Sequence, residues 1–139
     1  MDTFLTEGKY HFFFGDEAAI PLFDKARKKI WYPDKMYIGV LILGEQHKNI
    51  PEELGLLVDV IPRKGEACRQ AIHFLHTLDS ELWSLWMHGT FHLAGGVDIT
   101  YPFRNELTRM GILDHRIMIY DLSPVKSPDP AIKFPFSGL

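Results

Sequence analysis

Apolar residues along this chain follow two patterns: short continuous runs, and longer segments in which they recur every three or four positions. A short continuous run is typical of a β-strand that is covered on both faces, and the longer spacing is typical of a helix with one buried face. The runs predict a series of strands along the whole chain. Their ranges are 9–14, 36–43, 55–61, 90–96 and 116–122.

The segments between these strands predict helices, with the ranges 21–30, 68–86 and 98–111. Pro21 suits the first position of a helix, where its missing N–H needs no partner. The second segment is long enough for two helices, and Asp79 and Ser80 would cap the second of them. Gly111 is expected to end the last helix, since glycine often follows the final helical turn.

Strands that alternate with helices predict an α/β fold, a three-layer, doubly wound parallel sheet of about five strands. We assign residues 1–122 to this domain and the proline-rich residues 123–139 to an irregular tail. Segments 15–20 and 44–54 are predicted to be loops. The backbone amides of the first loop are expected to be free to bind a ligand.

Ligands of such sheets bind beyond the carboxyl ends of the strands, where the strand order reverses. Glycines mark two strand ends: Gly15 follows the first strand, and Gly95 and Gly96 end the fourth. If these two strands are neighbours, the glycines flank one crevice. This crevice is the predicted site.

Composition narrows the class of protein. The chain has 139 residues, of which 46% are hydrophobic, and this excludes a disordered segment. The net charge is −3 and the largest basic cluster is 25–29, so nucleic acid is not an expected partner. A single cysteine, Cys68, fits a reducing compartment, and the longest apolar run, 36–43, is too short to span a bilayer. No secretion signal is visible at the N-terminus, and we expect a cytoplasmic protein.

Three stretches carry a resemblance to a known family: "YHFFFGDEAAIPLFDKARK", "MYIGVLIL" and "TFHLAGGVDITYPFRNELTRMGI". They resemble the C-terminal half of siderophore-interacting proteins, the flavin-dependent ferric-siderophore reductases of the ferredoxin reductase superfamily. The family pattern G-D-E-T-A-x-P is matched at 15–21, with Ala18 in place of threonine. The family's A-G-E is matched by "AGG" at 94–96, with Gly96 in place of glutamate, and its L/F-R-x-x-L helix by "FRNEL" at 103–107.

The resemblance implies a ferredoxin reductase-like, nicotinamide nucleotide-binding domain whose turn at Gly15–Ala18 approaches the nucleotide. Carboxylates aimed at phosphates would repel them. Asp16 and Glu17 are therefore expected to accept backbone amides and so pin the loop, or to accept ribose hydroxyls. The alternative interpretation is that Asp16 is only a turn residue. Gly95 and Gly96 would form the other wall of the same site.

The choice of nucleotide depends on charged residues after the second and third strands. Glu45 is placed where a carboxylate would accept the ribose hydroxyls of NADH. Arg63 and Lys64 are placed where they would bind the additional phosphate of NADPH, and the resemblance favours NADPH. Both sets are also compatible with an ordinary solvated surface.

The remaining polar residues predict no catalytic side chain and no metal site. Seven histidines are present, but no carboxylate or cysteine completes a clear coordination set around them. His92 lies inside a predicted strand and is expected to be a hydrogen-bonded core histidine. No serine has the G-x-S-x-G context of a nucleophile.

The resemblance implies an iron-reducing oxidoreductase in which NADPH or NADH passes a hydride to FAD, and single electrons then reach a ferric siderophore. The family also has a flavin-binding barrel and a G-Y-W-like motif, whereas this chain offers no barrel and only Tyr120. We therefore expect FAD to come from a separate domain or flavoprotein, and the chain alone to reduce no ferric chelate. The alternative functions are a non-catalytic module that senses nucleotides or binds a partner, and another α/β enzyme such as a methyltransferase.

Overall fold

A computed structural model describes residues 8–29, 35–64, 67–78 and 80–122 of the chain. Its strands form one parallel sheet in the order β3-β2-β1-β4-β5. Their bounds are Tyr10–Gly15 (β1), Met36–Leu43 (β2), Asp59–Pro62 (β3), Thr90–Gly95 (β4) and Ile117–Asp121 (β5). Helices flank the sheet, so the predicted α/β fold with a doubly wound parallel sheet is confirmed.

The helices are Ile20–Lys29 (α1), Ile50–Leu54 (α2), Ala67–Thr77 (α3), Ser80–Trp86 (α4) and Val97–Arg109 (α5). The long amphipathic segment is therefore two helices, as its length predicted, while its predicted cap Asp79 lies outside the described residues. Gly111 follows α5 with a φ of +98°, a backbone conformation that glycine adopts without strain. The predicted tail, residues 123–139, also lies outside the described residues.

The prediction of a polar loop at 44–54 is wrong, because this segment contains a 3₁₀ turn, Glu45–His47, and the helix α2. Pro51 lies in the first turn of α2. Gly55, with a φ of +77°, ends the helix and donates its N–H to the carbonyls of Glu52 and Pro51. Residues 55–58 therefore connect α2 to the sheet. As a result β3 begins at Asp59, four residues later than the apolar run indicates.

The two faces of the sheet are covered by different helices. Phe12 and Phe14 of β1 point to the face that α3 and α5 cover, where the Phe14 ring stacks on Phe103 with centroids 3.8 Å apart. Phe13 points to the opposite face, where it stacks on Phe23 of α1 at 4.5 Å. β1 therefore lies in the middle of the core, and its carboxyl end is held from both sides. Within the described ranges, no helix has the length and apolar character to cross a membrane.

Two histidines of adjacent strands form a hydrogen-bonded chain on the α1 side of the sheet. His11 Nδ1 and His92 Nε2 are 2.9 Å apart, so one of the two nitrogens carries the shared proton. The outer ring nitrogens contact the Gly8 carbonyl at 3.2 Å and the Tyr120 hydroxyl at 3.3 Å. Both rings are completely buried. The prediction that His92 is a hydrogen-bonded core histidine is therefore confirmed.

Stability should fall below about pH 6.5 because the pKa values of both histidines are lower in the folded protein than the ordinary value of the unfolded chain. Burial, and then the neighbouring His11, lower the pKa of His92 from 6.5 to about 2, and burial also lowers the pKa of His11. When the pKa of a group is lower in the folded state, its contribution to the free energy of unfolding is fully present above the pKa of the unfolded chain. That contribution is lost as the pH falls below this value. Between pH 6.5 and 4.5, His92 alone should remove about 2–3 kcal/mol.

Urea unfolding at several pH values measures this loss. The variant His92→Gln removes the titrating ring and should flatten the profile between pH 6.5 and 4.5. The exposed His115 offers a matched control, since His115→Gln should leave the wild-type slope unchanged. Equal slopes for wild type and His92→Gln would contradict the assignment.

Candidate functional site

The strand order reverses between β1 and β4, so the turn after β1 meets the turn after β4. The two strands pair in register, with Gly15 opposite Ala94, and the prediction that they are neighbours is confirmed. A Cβ on Gly15 would overlap the Ala94 carbonyl and lie 2.7 Å from the Ala19 side chain. Gly95 has a φ of +132°, and a Cβ there would be 2.6 Å from Asp16 Oδ1. Both glycines are therefore required by the close approach of the two turns.

Asp16 connects these turns through its carboxylate. Oδ1 accepts the N–H of Ala18 at 3.0 Å and thereby caps the 3₁₀ turn Glu17–Ala19. Oδ2 accepts the N–H of Gly96, the residue that precedes α5, at 3.2 Å. Burial raises the pKa of this carboxyl, and the N–H groups of Gly96 and Ala18 offset part of the rise. The prediction that Asp16 pins the loop by accepting backbone amides is confirmed.

Glu17 makes the corresponding connection toward β2 and β3. Its Oε2 accepts the N–H of Gly44, directly after β2, at 2.6 Å. Its Oε1 accepts from Nη2 of Arg63, directly after β3, at 2.7 Å. Burial alone would raise the pKa of Glu17, but the Gly44 N–H and the Arg63 guanidinium outweigh it, and the pKa lies below its usual value. Together, the two carboxylates join the carboxyl ends of four neighbouring strands.

The prediction that the amides of Gly15–Ile20 are free is wrong. The N–H groups of Ala18, Ala19 and Ile20 donate to the Asp16 side chain, the Asp16 carbonyl and the Glu17 carbonyl, because the segment folds into a 3₁₀ turn. A phosphate placed on the Gly44 or Gly96 amide would have to displace a carboxylate. The turns after the strands form the carboxyl-end edge of the sheet. Groups that fit this edge without displacing a carboxylate are hydrogen-bond donors, such as ribose hydroxyls or a carboxamide, because carboxylate oxygens accept more than one hydrogen bond.

The predicted nucleotide-selecting residues lie together at the β2 and β3 ends. Glu45 is exposed and paired with Lys48 at 2.7 Å; that contact, and more weakly the nearby Lys64, lower its pKa. Arg63 is 40% exposed, and its Nη2 lies 4.0 Å from Asp16 Oδ2 in addition to its bond with Glu17. The ion pair between Arg63 and Glu17 was missed from the sequence. The proposed roles of Glu45, Arg63 and Lys64 in choosing a nucleotide stay predictions.

A groove of about 600 Å³ opens beside the carboxylates, between α1 and the segment 47–54. Of the predicted site residues, Glu17 and Ala18 line it, whereas Gly15 and Gly95 are not among its described lining residues. Sequence reasoning missed this groove because it treated 44–54 as a loop. The signals of a second helix were nonetheless present, in the proline at 51 and the glycine at 55.

The described ranges contain no group of three or more histidine, cysteine, aspartate or glutamate side chains placed to hold a metal ion. Cys68 is partly buried, and burial, followed by the nearby Asp98, raises the pKa of its thiol to about 11. A thiol with this pKa is neutral near pH 7 and is a poor nucleophile. The chemistry of this edge is therefore that of hydrogen-bond acceptors and a guanidinium.

The fold is similar to that of a solved protein. The siderophore-interacting protein SipS from Aeromonas hydrophila superposes with a TM-score of 0.59 over 81% of this chain, at 15% sequence identity. The match covers 45% of the SipS chain, so the present chain spans less than half of that protein's length. At this identity the likeness shows a shared fold. No protein-family model and no curated protein matches the sequence.

Proposed function

We propose that this chain is the nicotinamide nucleotide-binding domain of a flavin-dependent reductase, of the kind that reduces ferric siderophores. One observation carries the proposal. Two glycine turns, Gly15 and Gly95-Gly96, meet where the strand order reverses, in a fold shared with a siderophore-interacting protein. That is the position at which open α/β sheets bind their ligands.

The charges along the carboxyl-end edge of the sheet support this proposal and indicate which half of the dinucleotide lies at which end. The β1–β4 end presents the carboxylate of Asp16, which suits the hydroxyl and carboxamide donors of a nicotinamide riboside. The β3 end presents Arg63 and Lys64, which suit phosphate. NAD(P)H would supply a hydride to FAD held by a separate flavin-binding domain, and the ferric siderophore would be the final electron acceptor.

A second function is favoured by the internal hydrogen bonding of the edge. The amides of Gly44 and Gly96 and the guanidinium of Arg63 already have carboxylate partners. A module that binds a nucleotide or a partner protein without catalysis needs no more than this rigid surface. The two functions differ in one measurable property: only the reductase domain supports NAD(P)H oxidation when a flavin domain is added.

Arg63→Ala should weaken NADPH binding by about 1.5–3 kcal/mol, roughly 10- to 150-fold, and leave NADH binding nearly unchanged. The reason is that only NADPH has the additional phosphate that a guanidinium can bind. Calorimetric titration of wild type and variant with both nucleotides measures this difference.

Because Arg63 also binds Glu17, the variant Glu17→Gln serves as the control for the loss of that ion pair. It should change the affinities for NADPH and NADH by the same factor. Equal losses of both nucleotides in Arg63→Ala would refute the phosphate role and direct attention to Glu45. If wild type bound neither nucleotide saturably, the proposed function itself would be overturned.

A further inference from the structure

We propose that the groove between α1 and α2 holds the adenine base of the dinucleotide, an inference that rests on the proposed function. The groove has a rigid frame because hydrogen bonds tie its two sides at both ends. At one end Glu17 accepts the Gly44 N–H at 2.6 Å, and at the other Arg27 Nη2 donates to the Leu54 carbonyl at 2.8 Å. These two hydrogen bonds fix the position of α1 relative to the segment 44–54 at both ends of the groove.

The groove has the size and the walls that a flat ring requires. Its volume of about 600 Å³ lies within the range of small-molecule sites. Ile20 and Pro21 form the α1 wall, and Ile50 and Leu54 form the α2 wall. Leu54 is 38% exposed, so an aromatic ring between the walls would remove apolar surface from water.

The polar groups of the groove select a ring that carries an amine. They are Glu17, Asp24 and His47, and the described lining includes no lysine or arginine. Asp24 accepts from Arg27 at 2.9 Å, and Glu17 accepts from Gly44 and Arg63, but carboxylate oxygens accept more than one hydrogen bond. An occupant that contacts them directly therefore brings N–H or O–H donors, whereas a phosphate there would be repelled. His47 Nδ1 is buried without a hydrogen-bond partner in the described structure and lies 3.7 Å from Glu17 Oε2. Adenine has both an exocyclic amine and ring nitrogens that accept.

The position of Arg63 distinguishes adenine from nicotinamide as the occupant. Glu17 lines the groove and also binds Arg63, at 2.7 Å, so the groove and the guanidinium are separated by a single side chain. The additional phosphate of NADPH is attached to the adenosine ribose. A base in the groove therefore brings this phosphate toward Arg63, and the nicotinamide extends toward Gly95 and Gly96.

Two fragments of the dinucleotide test this inference by calorimetry and by amide chemical shifts: adenosine 2′,5′-bisphosphate and nicotinamide mononucleotide. The bisphosphate should shift amides in 17–24 and 47–54, and the mononucleotide those of 94–96. Leu54→Trp fills the groove and should weaken the bisphosphate by about tenfold or more without affecting the mononucleotide. Leu57→Trp makes the same change at a residue that is 76% exposed and does not line the groove, and it should bind both fragments like wild type.

His47→Ala offers a second variant that does not add bulk, and it should weaken the bisphosphate selectively. If the bisphosphate and NADPH bind wild type but Leu54→Trp and His47→Ala bind them equally well, the groove assignment is overturned and the proposed function stands. If the variants weaken the mononucleotide instead, the base in the groove is nicotinamide, which also overturns the assignment. Failure of wild type to bind NADPH, NADH and both fragments would overturn the proposed function itself.

Discussion

Replacing Phe14 by alanine should lower the free energy of unfolding by about 3–5 kcal/mol. The ring is completely buried in β1, the strand that pairs with both β2 and β4, and it stacks on Phe103 at 3.8 Å with an angle of 4° between the planes. Alanine would lose the transfer free energy of the ring and leave a cavity. Because β1 is tied on both sides, the surrounding strands cannot collapse into that cavity.

Urea unfolding monitored by circular dichroism measures this loss. The matched control is Tyr101→Ala, which removes an aromatic ring from α5 at a position that is 46% exposed. Its cost should be below about 1 kcal/mol, mainly the contact with Arg104. Similar losses for the two variants would contradict the packing described for the α5 side of the sheet.

Gly15→Ala should destabilise the protein by about 3 kcal/mol, the upper end of the usual cost of overpacking. The added Cβ would overlap the carbonyl oxygen of Ala94 and lie 2.7 Å from the Ala19 Cβ. The first of these atoms belongs to the backbone of the neighbouring strand, so no side-chain rotation can relieve the contact. The strand pair has to separate, and Asp16 is then drawn away from the Gly96 amide.

Two readouts distinguish this local separation from a general loss of stability. The free energy of unfolding should fall, and in the folded variant the Gly96 amide should exchange with solvent faster than in wild type. In the control Gly44→Ala, the added Cβ would meet only the ends of the Gln46 and Glu17 side chains, both at 3.3 Å. Its cost should stay below about 1 kcal/mol because contacts at 3.3 Å with side-chain atoms are relieved by a shift of a few tenths of an ångström. Unchanged exchange at Gly96 in Gly15→Ala would contradict the proposed link between the turns.

Local pattern was sufficient for the architecture of this protein. The apolar runs, the helical spacing and the glycines at two strand ends are each visible within a few neighbouring residues of the sequence. Parallel strands joined by helices allow few topologies, since the crossovers are right-handed. The meeting of Gly15 with the β4 turn was predicted on the condition that β1 and β4 are neighbours, and the order β3-β2-β1-β4-β5 fulfils this condition. The order itself was not predicted, because right-handed crossovers also allow other doubly wound orders. Helix α2 was missed because five residues are too few to show a helical period.

The contacts that decide what this edge can bind are between residues far apart in sequence. Glu17 and Arg63 are 46 positions apart, and Asp16 and Gly96 are 80 apart. The type of residue at each position was visible, but the pairing depends on strand order and register. The sequence places two carboxylates, Asp16 and Glu17, next to a possible phosphate site that their charge would repel. Only the tertiary structure shows that they bind the backbone amides of Gly44 and Gly96, which a phosphate would otherwise use.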